Sequence, residues 1–385
     1  MAEDTRTGRR LSRDEFLRRT AVLGGAGVLA GLGAGRARGA SVHSGTTGRN
    51  GGVGGNAGTG TAIESGDLQV LDWSGYEVKD LWKQYAAVHP ANKPKFTFMT
   101  NEANALGKMR AGLKPDVLHP CVGYVKDFAD SGFAQPWTPA LLKNLKNLNP
   151  AMVKAGQING KQWWIPADWG FDKILYRTDK VKPKERSWNL MFDERYKGKI
   201  AWFDDLNQLV MAGYYLGFKK PYDQTDAELK KSQDLLKSKK HLVRMFWSSE
   251  TDLQTAFAAG EIWIAYAWPA DYVAMKAKKL PVAYMQPKEG ALSWVCGFML
   301  GKGSPRVGAA HAYVDAWSSR QAGSWLETNY AYGAANMKAR PADASLGKAL
   351  QLDRPESVSE PFAHIDRYIR RRALYAKMWD EVKAS

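Results

Sequence analysis

The chain has 385 residues, 44% of them hydrophobic and 11% aromatic, which gives room for about two domains with cores of their own and excludes a disordered chain. Its net charge is +16, but the lysines are dispersed, as in Lys219-Lys220, Lys230-Lys231 and Lys239-Lys240, with no dense basic arm and no nucleic-acid motif. This pattern argues for a solvated surface and against nucleic acid as a partner.

In chain order, residues 1–40 predict an export signal. A basic region ends at Arg18-Arg19, an apolar run follows over 21–34, and small residues around Gly35-Arg36-Ala37 offer a cleavage site. The run is shorter than the ~20 residues a membrane-spanning helix needs. Ser12-Arg13-Asp14-Glu15-Phe16-Leu17-Arg18 is similar to the twin-arginine pattern but has Asp14 where the second arginine belongs, so the twin-arginine and general routes both stay open. Gly25-Ala26-Gly27-Val28-Leu29-Ala30 fits a dinucleotide fingerprint by spacing. An arginine cluster precedes it and a Gly/Ser/Thr tract follows, where that motif needs a strand and a helix, so no cofactor is expected. Residues 41–66 read as a flexible, Gly/Ser-rich disordered linker with almost nothing to bury. No cysteine follows the apolar run, so no lipid anchor is expected.

From Asp67 onward, strand-like runs (68–71, 96–99, 116–118, 200–203, 262–267, 294–300) alternate with helical spacing (78–88, 106–113, 227–239, 309–327, 365–382). That alternation predicts an α/β fold, and in open sheets of this kind ligands sit at the carboxyl ends of strands. Trp73, Asp204-Asp205 and Trp268 fall just past three such runs.

Several aromatic residues accompany carboxylates: Asp72-Trp73-Ser74-Gly75-Tyr76, Asp204-Asp205, Trp268-Pro269-Ala270-Asp271, then Trp294 and Tyr332. A ring face attracts a cation by ~0.5–2 kcal/mol and a carboxylate adds a directional hydrogen bond, so together they suit an organic ammonium ion. Taken singly, each aromatic reads as core packing, as do Trp82, Trp137, Trp188 and Trp317. Asp205 also reads as a helix N-cap before the apolar run from Leu206.

The order and spacing of five segments give these residues a context. They are Leu71-Asp72-Trp73-Ser74-Gly75-Tyr76; Trp164-Ile165-Pro166-Ala167-Asp168-Trp169-Gly170; Ser187-Trp188-Asn189-Leu190 with Tyr196-Lys197-Gly198-Lys199-Ile200; Ala259-Gly260-Glu261 through Trp268-Pro269-Ala270-Asp271; and Pro287-Lys288-Glu289-Gly290 to Trp294. Here the chain resembles the spermidine/putrescine-binding receptors of bacterial ABC importers, over roughly Leu68 to Lys338. The resemblance implies a two-lobed periplasmic-binding-protein fold (type II-like) closing about a hinge, with lobe 1 over 67–170 and 294–340 and lobe 2 over 171–293 and 341–385. It further implies a monomeric periplasmic or otherwise extracytoplasmic receptor that delivers a polyamine-like ligand to an ABC permease and its ATPase, without catalysis.

Carried over by position, the family's aromatic box falls on Trp73, Tyr76, Trp268, Trp294 and Tyr332, and its ammonium-binding acids on Asp205 and Asp271. The chain departs from the pattern at Gly75, Gln208, Cys121 and Cys296, each in place of an acid or polar group. An unmatched ammonium in a buried site costs ~2–5 kcal/mol, so a smaller or singly charged amine is expected as readily as spermidine. Asp168, Asp172 and Glu250 are candidates to replace the missing anchors. The two cysteines are too few for a disulfide scaffold and lack zinc spacing, and read as small hydrophobes in the pocket. A disulfide across the pocket floor, or a soft-metal or thiol contact joined by His119, is the alternative. Competing classes are a receptor for an anionic or zwitterionic solute, with Lys173, Arg177 or Lys108 as surface anion ligands, and a secreted hydrolase using Asp204 or Asp205 with Asp271. No nucleophile elbow or metalloprotease motif is present.

Overall fold

The computed structural model describes Glu64, residues 66–352, Arg354, Ser357 and residues 363–385. Of residues 1–62, a unit of their own, it describes only the antiparallel pair Glu3–Asp4 and Arg9–Arg10. The expected export signal and nearly all of the expected linker therefore lie outside the described residues. The linker's end does not stay free: the Glu64 carboxylate accepts hydrogen bonds from the Gly308 and Ala309 amides, and Asn92 donates to the Glu64 and Gly66 carbonyls.

One sheet organises the body. Its strands in chain order are β1 (Leu68–Trp73), β2 (Pro94–Met99), β3 (Val117–Leu118), β4 (Ala134–Gln135), β5 (Trp164–Arg177), β6 (Ile200–Phe203), β7 (Val243–Trp247), β8 (Ile264–Ala267), β9 (Val282–Met285), β10 (Ala291–Gly301), β11 (Gly333–Ala334) and β12 (Ala363–Ile365). The order across it is β7-β6-β8-β5-β10-β3-β1-β2, with β9 and β11 also on β5, and β4 and β12 also on β10. Parallel pairs occupy both ends, β1 with β2 and β3, and β6 with β7 and β8. The middle is antiparallel, where β5 runs beside β10.

These two long strands connect two hydrophobic cores. Trp164, Ile165, Trp169 and Phe171 of β5 enter the first core, with Leu71, Trp137, Phe298 and Trp317. Ile174 and Leu175 enter the second, with Trp188, Trp202, Trp247 and Tyr266. Leu292 of β10 belongs to the second core and Val295 to the first. Five tryptophans (Trp164, Trp169, Trp188, Trp202, Trp247) are fully buried, each removing ~150–250 Å² from water, so much of the chain's aromatic content is core.

The sequence pattern does not reveal β5, because Pro166 argues against an interior strand. The register explains the exception. Cys296 pairs with Asp168 and Gly297 with Pro166, which leaves Ala167 as an extra, bulged residue beside the proline.

The helices that bear on the site are α1 (Glu102–Arg110), α2 (Asn207–Tyr215), α3 (Asp226–Lys239), α4 (Glu250–Ala258), α5 (Pro269–Ala277), α6 (Val307–Trp317), α7 (Arg320–Asn329) and α8 (Arg372–Ala384). Side-chain caps start several of them: Asn101 on α1, the Thr225–Glu228 capping box on α3 and Ser249 on α4. Three expected helices are corrected. The run 309–327 is two helices, because Ser319 accepts from the Ala322 amide and begins α7. The run 78–88 breaks at Trp82, between a 3-10 turn Lys79–Leu81 and a helix Lys83–Val88. The run 365–382 starts as strand: β12 pairs with β10, the Asp366 amide donates to the Ser293 carbonyl, and α8 begins only at Arg372.

Candidate functional site

Trp73 closes β1, Asp204 and Asp205 follow β6, and Trp268 follows β8, all at carboxyl ends of parallel-paired strands. From this rim two groups of side chains develop, one mainly aromatic and one mainly acidic.

The aromatic group rests on a buried charge chain. His119 directs Nδ1 to Asp72 Oδ1 at 2.7 Å and Nε2 to Asp168 Oδ1 at 3.2 Å, and Tyr76 donates its hydroxyl to Asp168 Oδ2 at 2.6 Å. Burial works against the imidazolium, but the carboxylates on both sides outweigh it and raise the His119 pKa to about 9. His119 is thus a cation donating both N–H groups. The Trp73 indole donates to the His119 carbonyl at 2.8 Å, so the same residue positions two members of the expected box. The Tyr76 ring lies against Trp317 and edge-on to Tyr330, with centroids 5.7 and 5.8 Å away. Trp294 and Tyr332 meet edge-to-face at 4.9 Å. Trp294 stands opposite Gly170 across β10 and β5, and a Cβ at Gly170 would fall 2.4 Å from its ring. Glycine is what lets that ring lie against the strand.

Trp268 touches Phe203 and Trp247, at 5.2 and 5.0 Å. Asp271 is buried, and its carboxylate accepts from Gln254 at 3.0 Å and from the Trp268 amide at 2.9 Å, capping α5. Glu250 accepts from the Tyr332 hydroxyl at 3.1 Å. Burial raises both acids, and the charge of Asp271 raises Glu250 further.

The acidic group contains Asp205, Glu102, Asp172 and Asp366. Asp205 accepts from the Asn207 amide at 2.8 Å, so it serves the start of α2 from one residue before the cap position. Glu102 accepts from the Cys121 amide at 3.1 Å. Burial raises all four, Asp172 and Asp366 to about 7 each. The charge of Asp205 adds to the rise of Glu102, Asp172 and Asp366, which links the four electrostatically. Arg372 opposes the rise in Glu102, Asp205 and Asp366. Tyr266 and Trp268 work against the rise in Asp172, which joins this group to the aromatic one. Desolvated acids beside ring faces would gain most from a cationic partner.

Several expectations are corrected here. Cys121 and Cys296 are joined in a disulfide, not two separate small hydrophobes, so neither sulfur is left to hold a metal with His119. Lys173 is not a surface residue. It lies on β5 with its ammonium 4.0 Å from the Phe171 ring and 2.8 Å from Gln351 Oε1, and burial lowers its pKa to about 7. Arg177 pairs with Asp179, and Lys108 donates to the Phe98 carbonyl. Gln208 is fully buried on α2, and among the described residues neither its amide nitrogen nor its oxygen finds a partner. Glu102, Tyr124, Asp366 and Arg372 were not singled out from the sequence. No motif marks them, since they come from a helix start, a loop and the C-terminal segment. A cavity of ≈ 480 Å³ lined by Tyr214, Tyr222, His364 and Arg367 among others shares no residue with either group.

Among the described residues, no helix is long and apolar enough to cross a membrane. Residues 114–352 match the family described as bacterial extracellular solute-binding protein. The chain is 23% identical over 336 residues to the putrescine/cadaverine-binding protein of Pseudomonas aeruginosa, spanning 82% of this chain and 93% of that one. It is 26% identical over 304 residues to a putrescine-binding periplasmic protein of Escherichia coli, spanning 73% and 80%. In three dimensions it is similar to the spermidine/putrescine ABC transporter substrate-binding protein of Streptococcus pneumoniae, with a TM-score of 0.68 at 16% identity over 83% of this chain and 98% of that one. The fold is therefore the α/β, two-lobed periplasmic-binding-protein fold expected from the sequence.

Proposed function

Because the chain belongs to the bacterial extracellular solute-binding proteins, we propose that it is the extracytoplasmic receptor of an ABC importer and holds a small organic amine between its lobes. In this reading the amine's carbon chain packs on Trp73, Tyr76, Trp268, Trp294 and Tyr332. Its ammonium is drawn by Asp205 and the acids around it. Glu250, beside Tyr332, supports the aromatic end; Asp271 acts mainly through α5 and Trp268, since both its oxygens already accept protein hydrogen bonds. Cys121 and Cys296 contribute a disulfide wall where the resemblance has polar anchors, and Gln208 contributes from below the site. The receptor acts without catalysis, passes its ligand to a permease with an ATPase, and works as a monomer.

One observation carries the proposal: four acids from separate elements, Glu102 and Asp172 buried and Asp205 and Asp366 half-buried, all raised in pKa by desolvation, stand beside the aromatic rim. An anion would be repelled there. The candidate anion ligands Lys108 and Arg177 are engaged with Phe98 and Asp179.

The test is thermal unfolding of the mature protein against putrescine, spermidine, monoamines, quaternary amines, amino acids and small anions. A ligand at about 100 times its dissociation constant stabilises by ~2.7 kcal/mol. Stabilisation by amines is expected; stabilisation by anions alone would discard the proposal. Asp205→Asn should weaken amine binding by ~2–5 kcal/mol while leaving the fold intact, read by calorimetric titration. Unchanged affinity would remove Asp205 from the site.

A further inference from the structure

The C-terminal segment brings a cation of its own to the acidic group. Arg372, first residue of α8, donates to the Gly123 carbonyl at 2.8 Å and places its guanidinium 3.5 Å from the centre of the Tyr124 ring. A second contact, 3.6 Å, reaches Asp127. Asp366 crowds the same point: a Cβ at Gly123 would fall 2.3 Å from Asp366 Oδ2, so the carboxylate lies directly against this glycine. Asp366 is held there by its own amide on Ser293 of β10. Cys121, two residues before Gly123, donates its amide to Glu102. Acid, guanidinium and ring thus converge on one short loop. The Nε of Arg372 is buried and has no acceptor among the described residues, so hydrogen bonding alone does not account for its position.

We propose that Arg372 is the resident counter-ion of this acidic group and sets the charge of the ligand: it fills the place of a second ammonium, so the receptor selects amines with one positive charge over diamines of the same length. The proposal rests on the amine-receptor reading above. A guanidinium stays charged at every physiological pH and cannot leave the site by losing a proton. It already covers the Tyr124 face, so that ring is not open to a ligand ammonium. The aromatic end does not offset this. Both oxygens of Asp271 accept protein hydrogen bonds, and Cys296 is tied to Cys121. Arg372 supplies one positive charge to the acids before any ligand binds, so a second ligand ammonium gains less there than the first and still loses its hydration.

The experiment is calorimetric titration of wild type, Arg372→Gln and Arg372→Lys with butylamine and with putrescine, which differ only in the second ammonium. Wild type should prefer butylamine. Arg372→Gln should shift the ratio toward putrescine by about tenfold or more, an effect of ~1.4 kcal/mol, while Arg372→Lys should keep the wild-type order. Wild type binding putrescine more tightly than butylamine overturns the proposal without any variant, and so does a folded Arg372→Gln with an unchanged ratio. If wild type binds no amine at all, the receptor reading itself fails, a result distinct from an amine receptor indifferent to Arg372.

Discussion

His119 holds much of the aromatic group in place. Its two N–H groups hold Asp72 and Asp168, Asp168 holds the Tyr76 hydroxyl, and its carbonyl takes the Trp73 indole. Asp72 Oδ2 is already buried without a partner among the described residues, so the chain has no reserve. His119→Asn leaves two buried carboxylates facing a neutral amide. Breaking a buried charge network of this kind costs ~3–5 kcal/mol, measurable by urea denaturation. Amine affinity should fall as well, because Tyr76 loses its fixed partner. A loss below about 1 kcal/mol would mean that the network is not charged as described. Little of this was legible in the sequence. His119 stood beside Cys121 and suggested a metal or thiol contact, whereas its partners come from 47 and 49 residues away. Only the fold brings β1, β5 and the loop after β3 to one point.

At the scale of elements, the sequence was readable where one strong signal acted alone. β6 has the expected bounds, and α3, with its capping box, begins one residue before them. It failed where a local signal was overruled: Pro166 hid β5 until the bulge at Ala167 accounted for it, and a helical period across 309–327 hid the Ser319 cap. The rim positions of Trp73, Asp205 and Trp268 were legible because residues that follow strand-like runs mark a sheet's carboxyl edge. The acids Glu102 and Asp366 were not, since they reach the site from elements with no such mark. The disulfide belongs at this scale too. Cys121 and Cys296 are 175 residues apart in sequence, so the bond ties the loop after β3 to β10 and closes most of the body. On chain-entropy grounds such a bond contributes ~2–5 kcal/mol. Thiol titration should find no free thiol in the unfolded, unreduced protein and two after reduction, with a lower melting temperature for the reduced form. Two thiols before reduction would exclude the bond.

For the molecule as a whole, the buried charges predict an unusual response to pH. Asp172 and Asp366 rise from 3.8 to about 7 on folding, so between those values the folded protein binds more protons than the unfolded chain. Stability must then fall as pH rises through that interval, and the raised Glu250 acts in the same direction. Surface acids such as Asp193 and Glu194 are lowered by Arg195 and by Lys239 and His241 respectively, and act oppositely, but only below their ordinary values of 3.8 and 4.5. Above neutrality two groups oppose each other. His119, raised from 6.5 to about 9, contributes stability that is lost as pH climbs through about 9. Lys173, lowered from 10.5 to about 7, gives up its proton earlier when folded, so its contribution rises over the same range. The ligand-free protein should therefore lose melting temperature between about pH 5 and 7, by an amount on the order of several kcal/mol, and change less from there to about pH 9. A bound ammonium favours the charged form of those same acids. Amine affinity should accordingly strengthen over the interval in which the free protein weakens, and binding near pH 6 should release protons, measurable by titration calorimetry in buffers of different ionisation enthalpy. Proton uptake on binding, or a melting temperature that climbs from about pH 5 to 7, would mean that the buried acids are not the groups the ligand meets.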